Sequence, residues 1–316
     1  MSDDPMDSGK EDKEETASCS EWSQMNESQC QTVASPTSPR LSGSESPSAG
    51  PLTAGEDVIF YDAKGRRHLV TLREGGRYHM HDGVIDHADV IGNVEGAILG
   101  TSKGLDVAVV RPTLAERIFE MPRGAQVIYP KDIGSILIQA DIGPGMSVLE
   151  AGVGSGALSM ALLRAGAIVH GYELRDDFAS RATANVERGI GTLERYRVEM
   201  RDVYEGIDLV DLDRILLDLP EPWRVVIHAE QALKPGGILL AYLPSIDQVM
   251  HLRQALSASR FGLVSTYEVL QRSWYIEDRS VRPDHRMVAH TGFITTARLL
   301  DSNHHKFKHL TLSPGR

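Results

Sequence analysis

An α/β fold with a largely parallel sheet, preceded by a small β-rich module, is what this 316-residue chain predicts. Three observations point there. From about Tyr129 onward, apolar runs of strand length alternate with segments of helical spacing, the pattern of strands joined by crossover helices. The segment Val148-Leu149-Glu150-Ala151-Gly152-Val153-Gly154-Ser155-Gly156-Ala157-Leu158-Ser159 reads as a buried strand that enters a glycine turn and opens a helix. Three acids, Glu173, Asp202 and Asp218, close successive strand patterns, and open α/β sheets bind ligands outside the carboxyl ends of their strands.

Residues 1–54 are rich in Ser, Pro, Asp and Glu and poor in large apolar side chains. Such a stretch cannot bury enough surface to offset chain entropy, so it reads as a disordered acidic leader, with a partner-binding tail as the alternative. It holds ten of the acidic residues against three basic ones, whereas the other 262 residues carry 34 acidic and 30 basic side chains. The net charge of −11 therefore sits mostly in the leader and does not argue against a nucleic-acid partner. Both cysteines, Cys19 and Cys30, also lie in the leader, which excludes a disulfide framework and a thiolate metal site from the remainder. There is no run of about 18 apolar residues to span a bilayer and no secretory signal, so a soluble cytoplasmic protein is expected, with no membrane partner.

Residues 55–125 give short strand signals: Val58-Ile59-Phe60-Tyr61, Arg67 to Leu72 and Leu105 to Val110, separated by turns at Ala63-Lys64-Gly65, Glu74-Gly75-Gly76 and Ser102-Lys103-Gly104. His79, His81 and His87 form a loose cluster near Gly83, but without further ligands at regular spacing no metal site is expected. Residues 126–302 form the α/β domain. Helices are expected over Asp132 to Ala140, over Asp176 to Arg188 with a cap near Arg175-Asp176, and over Ile246 to Ser257. Strands are expected at Asp213 to Asp218, at Ile238 to Leu243 after a Leu233-Lys234-Pro235-Gly236-Gly237 turn, and near Leu263–Leu270 and Thr291–Arg298. The basic end, residues 303–316, reads as a solvated tail.

The glycine turn carries the chemistry. Glycines let backbone approach a ligand closely, and the helix N-terminus behind them presents free N–H groups. Glu173 stands 21 residues beyond Gly152, where a nucleotide-binding α/β fold places the carboxylate that holds a ribose diol. A dinucleotide site prefers Gly-x-Gly-x-x-Gly, whereas Gly152, Gly154 and Gly156 alternate, the spacing usual where S-adenosylmethionine binds. Asp202 would then bond the adenine amino group, with Val203 against the ring. No Gly-Lys-Ser/Thr follows, which speaks against a phosphate-binding P-loop.

The chain also resembles the TrmI-type tRNA (adenine-58, N1)-methyltransferases over roughly residues 55–300. The stretches that carry the resemblance are Lys64-Gly65-Arg66-Arg67, Arg111-Pro112-Thr113-Leu114, Tyr129-Pro130-Lys131-Asp132, the 148–156 strand and turn, Asp218-Leu219-Pro220-Glu221-Pro222-Trp223, Ala241-Tyr242-Leu243-Pro244 and His290-Thr291-Gly292-Phe293. The resemblance implies a Rossmann-like class I methyltransferase sheet, and S-adenosylmethionine-dependent methylation of adenine N1 at position 58 in the T-loop of tRNA. It implies that Gly152, Gly154, Ser155, Gly156, Ala157, Glu173, Asp202, Val203 and Ile128 hold the cofactor. Asp218 would lie between cofactor and base as the catalytic aspartate, orienting a flipped adenine through N6, with Tyr129 and Tyr242 near the base pocket. It further implies a homotetramer.

Two other functions compete. A methyltransferase with another acceptor, a protein carboxylate or a small molecule, would share the turn but has no reason to carry Asp-Leu-Pro-Glu-Pro-Trp. A non-catalytic RNA-binding subunit with a decayed cofactor site is opposed by the intact Glu173, Asp202 and Asp218. Trp223 reads more readily as a core anchor than as a stacking platform, and His290 as a satisfied buried histidine.

Overall fold

The structure, a computed structural model, describes residues 50–124, 126–301 and 307. The expected disorder over residues 1–49 and the expected solvated tail, apart from Phe307, lie outside the described residues. Among the described residues no helix is long and apolar enough to cross a membrane.

The N-terminal module is antiparallel throughout. Strands β1 (Asp57–Asp62) and β2 (Arg67–Thr71) pair across the Ala63-Lys64-Gly65 turn. β3 (Arg77–Met80) and β4 (Gly83–Asp86) form a separate hairpin, and β5 (Ile98–Gly100) and β6 (Asp106–Val110) complete a sheet of order β2-β1-β6-β5. Alternate residues point inward, so Val58, Phe60, Val70, Val107 and Val109 make one small core with Leu72, Ile85 and Val90. Leu52, which composition assigns to the leader, is fully buried in that core, and its N–H donates to the Asn93 carbonyl at 2.8 Å. Arg111 Nη2 also donates to the Gly50 and Pro51 carbonyls at 3.2 and 3.3 Å, so burial and hydrogen bonds together hold those few residues on the module.

Helix α1 (Leu114–Glu120) starts at a capping box: the Thr113 hydroxyl accepts the Glu116 N–H while the Glu116 carboxylate accepts the Thr113 N–H. The α/β unit then runs α2 (Pro130–Gln139), β7 (Ser147–Ala151), α3 (Ala157–Arg164), β8 (Ile168–Glu173), α4 (Asp176–Ile190), β9 (Tyr196–Met200), β10 (Leu212–Leu217), α5 (Val226–Ala232), β11 (Leu233–Leu243), α6 (Ile246–Ser257), β12 (Phe261–Tyr267), a hairpin of β13 (Trp274–Glu277) and β14 (Ser280–Pro283), and β15 (Phe293–Leu299). Pro130 opens α2, where a missing N–H costs nothing. Ser245 caps α6 by accepting the Gln248 N–H, and Gly191 at φ 86° closes α4.

The seven-stranded sheet has the order β12-β15-β11-β10-β7-β8-β9. The strands feed two cores by simple alternation: Val148, Leu216, Leu240 and Tyr242 face α2, α3 and α4, whereas Leu149, Ile215, Leu217, Leu239 and Leu243 face α5 and α6. The sheet is mixed, not wholly parallel: β15 runs antiparallel between β11 and β12. The chain reaches β15 from β12 through the 274–283 hairpin, with no crossover helix to turn it parallel. The Leu233 to Gly237 segment also differs from expectation. It belongs to β11, with Leu212 pairing with Leu233 and the register shifting before Arg214 pairs with Ile238.

Module and α/β unit are joined through a buried acid. Asp57 receives Arg117 Nη1 of α1 at 2.6 Å and Arg188 Nε of α4 at 2.9 Å. Asp57→Ala leaves both guanidinium groups without their buried partner and is expected to lower the free energy of unfolding by about 2 kcal/mol. Chemical denaturation measures this, and an unchanged midpoint would show that the pair does not hold the two parts together.

Candidate active site

The site forms where β7 lies between β8 and β10, the point at which the strand order turns outward in both directions. The registers bring its parts together. Ala151 pairs with Tyr172 and with Leu217, and Glu173 pairs with Met200. The Gly152 N–H donates to the Tyr172 carbonyl, the Asp218 N–H to the Ala151 carbonyl and the Arg201 N–H to the Glu173 carbonyl, each at 3.0 Å. The turn and the three acids therefore stand at one end of the sheet, and of the three acids Asp218 lines the cleft there.

The three glycines have different reasons to be there. At Gly152, with φ 84°, a Cβ would fall 2.2 Å from the Asp218 carbonyl oxygen, so the bare Cα is what lets the β7 turn and the β10 loop touch. At Gly156, with φ 82°, a Cβ would meet the Ala182 carbonyl oxygen at 3.1 Å, and the residue seats the turn on α4. Gly154, with φ 58°, faces open space and donates its N–H to Glu173 Oε2 at 3.0 Å. The other oxygen, Oε1, accepts the Leu174 and Arg175 N–H groups at 2.9 and 3.0 Å, so the carboxylate is oriented by backbone and retains lone pairs for a ligand hydroxyl.

The cleft is walled by Gly152, Gly154, Ser155, Ala157, Ile128 and Asp218 among the expected residues, and also by Gln126, Val127, Glu150, Val153 and Leu158. Gly156, Glu173, Asp202, Val203, Tyr129 and Tyr242 stand outside these walls. Asp202 is half-buried and its Oδ1 accepts the Tyr204 N–H at 2.8 Å, while Val203 packs with Tyr172 and Leu212 in the core on the α5 and α6 side. Tyr129 caps α2 and lies edge-on to Phe119, with 5.8 Å between ring centres.

Two features of the walls fit S-adenosylmethionine. The Ser155 hydroxyl is buried without a hydrogen-bond partner. The lining holds two carboxyl groups, Glu150 and Asp218, and no Lys, Arg or His. A pyrophosphate would meet carboxyls with no cation to offset them, whereas a ligand with ammonium and sulfonium charges is complemented.

Glu150 is fully buried, and burial raises its carboxyl to about 8, the hydrogen bond from the Ser159 hydroxyl at 2.6 Å opposing the rise and the Asp218 charge adding to it. Ser159 in turn accepts the Tyr196 hydroxyl at 3.1 Å, so a buried polar chain runs from β9 to the cleft. Asp218 is enclosed by protein yet open to solvent along the cleft. Desolvation, followed by the Glu173 charge, raises its carboxyl to about 7, and water in the open cleft moderates that rise.

On the other side of Asp218, three of the motifs quoted above meet in one buried network. Asp132 receives Lys131 Nζ at 2.7 Å, the Thr291 hydroxyl at 2.6 Å and the Tyr242 hydroxyl at 3.2 Å. Lys131 Nζ also donates to the Val269 carbonyl at 2.6 Å. Gly292 lies against the Tyr242 ring, where a Cβ would fall 2.4 Å from Cζ. Tyr242 is only 8% exposed; burial, with the Asp132 and Asp218 charges adding to it, raises its hydroxyl pKa. Trp223 packs edge-on to His251 at 5.0 Å beside the α5 and α6 core, the anchor its sequence context suggests. His290 departs from expectation: it is exposed, not buried. Its ring nitrogens face Glu268 Oε2 at 2.8 Å and the Pro244 carbonyl at 3.1 Å, two acceptors that favour the imidazolium and raise its pKa.

Two family models match the chain: the tRNA methyltransferase complex GCD14 subunit over residues 107–291, and TrmI-like N-terminal over residues 50–99. The chain is 38% identical over 245 residues to the tRNA (adenine(58)-N(1))-methyltransferase TrmI of Thermus thermophilus, covering 76% of this chain and 96% of that protein. This chain belongs to the TrmI-type tRNA (adenine-58, N1)-methyltransferase family. A TrmI-family member of Methanocaldococcus jannaschii, named as a tRNA (adenine(57)-N(1)/adenine(58)-N(1))-methyltransferase, is 36% identical over 270 residues, with 76% and 94% of the two chains covered. Among solved structures, the TrmI tRNA (m1A58) methyltransferase of Aquifex aeolicus superposes with a TM-score of 0.72 at 27% identity, covering 80% of this chain and all of that one. A SAM-dependent O-methyltransferase of Thermotoga maritima superposes at 0.77 with 33% identity, covering 80% and 96%. The sheet is that of a class I methyltransferase.

Sequence reasoning did not single out Gln126, Val127, Glu150, Val153 or Leu158 as site residues. Glu150 had a visible signal, a carboxylate inside an otherwise apolar strand. The others lie where only tertiary packing makes a wall. A carboxyl with a raised folded-state pKa stabilises the protein fully below its unfolded pKa, and the contribution is lost as pH rises toward the folded value. Glu150 therefore costs the unliganded protein up to about 1.4 kcal/mol per pH unit between its ordinary carboxylate range and about pH 8. Glu150→Gln is expected to remove that slope in denaturation measured from pH 5 to 8. A wild-type stability that runs parallel to the variant across this range would show Glu150 already ionised.

Proposed function

We propose that the protein transfers a methyl group from S-adenosylmethionine to N1 of adenine 58 in the T-loop of tRNA. The observation that carries the proposal is the contact of Gly152 with the Asp218 backbone, which sets a solvent-open carboxyl at the mouth of a cation-compatible cleft. Support comes from the relatives named for this reaction.

Glu173 holds the ribose diol, Asp202 the adenine amino group, and Val203 and Ile128 the ring of the cofactor. Gly152, Gly154, Gly156 and Ala157 leave room for its amino-acid end, and the Ser155 hydroxyl finds its partner there. When bound, S-adenosylmethionine supplies an electrophilic methyl on a cationic sulfur. The chain's own residues then have to place adenine N1 in line with that methyl, about 3 Å away, and positioning of this kind supplies much of a methyl-transfer rate. Asp218 accepts a hydrogen bond from the exocyclic N6–H, which orients the base and stabilises the positive charge that spreads over the ring as N1 is methylated. It is also placed to take the N6 proton afterwards. N1 is buried in folded tRNA, so the base is flipped out, with Tyr129 and Tyr242 bordering the space that receives it. A homotetramer, implied by the family resemblance, and a cytoplasmic location complete the proposal.

Purified protein is expected to methylate an unmodified tRNA transcript, and adenine-to-guanine replacement at position 58 to abolish the transfer. Methyl transfer that persists on the changed transcript would return the choice to other acceptors. Asp218→Ala is expected to lower kcat by about 10²-fold or more with an unaltered melting profile; full activity would remove Asp218 from the mechanism.

A further inference from the structure

Helix α4 backs both walls of the cofactor cleft. The glycine turn sits on Ala182 and Val186, because a Cβ at Gly156 would fall 3.2 Å from Ala182 Cα and 3.3 Å from Val186 Cγ2. The opposite wall, Gln126 to Ile128, belongs to the connection between α1 and α2. That connection rests on the same helix near its start: a Cβ at Gly124 would fall 2.8 Å from Phe178 Cε1 and would overlap the Arg181 guanidinium. Phe178, Ala182, Asn185 and Val186 follow the three- and four-residue spacing of a single helix face.

Asn185 lies on that face between the two walls. It is 7% exposed, and its Nδ2 donates to the Ser155 carbonyl in the turn at 2.9 Å and to the Pro122 carbonyl in the connection at 3.0 Å. Both partners are carbonyl oxygens, so only the amide nitrogen can serve, and both of its hydrogens are used. Neither carbonyl lies in a strand or helix that would otherwise satisfy it. We propose that Asn185 is a positioning residue that latches the Gln126 to Ile128 wall to the glycine turn and so sets how tightly the cleft holds S-adenosylmethionine. The inference rests on the cofactor reading given above and adds to it a residue that does not touch the ligand.

The latch is separable from ordinary packing because Asp has the shape of Asn but presents acceptors to two acceptors. Titration calorimetry with S-adenosylmethionine on the full chain tests it, using Asn185→Ala, Asn185→Asp and, as a control, Arg188→Ala. Arg188 lies one turn further along α4 and pairs with Asp57 of the module. Asn185→Ala is expected to weaken binding about tenfold and Asn185→Asp more, with Arg188→Ala within about twofold of the parent. In turnover assays the same Asn185 variants should raise KM for S-adenosylmethionine while kcat at saturation stays within about twofold. If Asn185→Asp binds as tightly as the parent, or if Arg188→Ala loses as much as Asn185→Ala, the latch is overturned. Should Asn185→Ala and Asn185→Asp fail to melt cooperatively, Asn185→Ser, smaller and unable to reach both carbonyls, decides: weakened binding supports the latch and parental affinity overturns it. A parent protein that does not bind S-adenosylmethionine would instead sink the cofactor reading itself.

Discussion

The structure depends on one close approach, the bare Cα of Gly152 against the carbonyl of Asp218. It is possible only because β7 lies between β8 and β10, so that the chain leaving β7 must pass over the end of β10. Any side chain at 152 would push the acid loop away from the turn, and the positive φ would strain it as well. The glycine turn and the loop that carries Asp218 are thus held at a fixed separation by backbone contact, which is stiffer than a contact between side chains. That stiffness suits a reaction whose rate depends mainly on placing two atoms in line.

Around this contact the charge distribution is one-sided. After burial itself, the Glu173 charge raises the carboxyl pKa of Asp218, and the charges of Asp218 and Glu173 both raise that of Glu150. No cation lines the cleft to relieve them. A cationic ligand is favoured by such a site, and a phosphate is not. Beyond Asp218 the buried Asp132 has the opposite design, satisfied by Lys131, Thr291 and Tyr242. Full satisfaction makes a buried polar network rigid, since each member would lose its partner if any one moved. Tyr-Pro-Lys-Asp, Ala-Tyr-Leu-Pro and His-Thr-Gly-Phe are far apart in the chain, and this network gives them a common physical purpose: they fix Tyr242 beside the loop that carries Asp218.

The sequence disclosed the periodic parts well. The helices over Ile246–Ser257 and Asp176–Ile190 and the strands flanking the glycine turn follow from apolar spacing, because each buries a face against one core. The antiparallel β15 and the 274–283 hairpin were not visible, since neither strand direction nor a solvent-facing hairpin leaves a mark in hydrophobic periodicity. His290 reads as a buried residue in isolation, and only the tertiary structure leaves it exposed and pairs it with Glu268 and the Pro244 carbonyl.

What the sequence determined by itself was local in origin. The alternate glycines, the acid that ends β8 and the acids just beyond β9 and β10, and the order of the motifs are all properties of short segments, and short segments suffice to name a ligand class and a family. What the tertiary structure decided was which segments face each other. Gln126, Val127 and Ile128 become a wall, Asn185 becomes the residue between two carbonyls, and Glu150 becomes a buried carboxyl with a raised pKa only when α4, β7 and the α1–α2 connection are packed together. Burial and hydrogen-bond partnership depend on neighbours distant in sequence, and no local pattern encodes them.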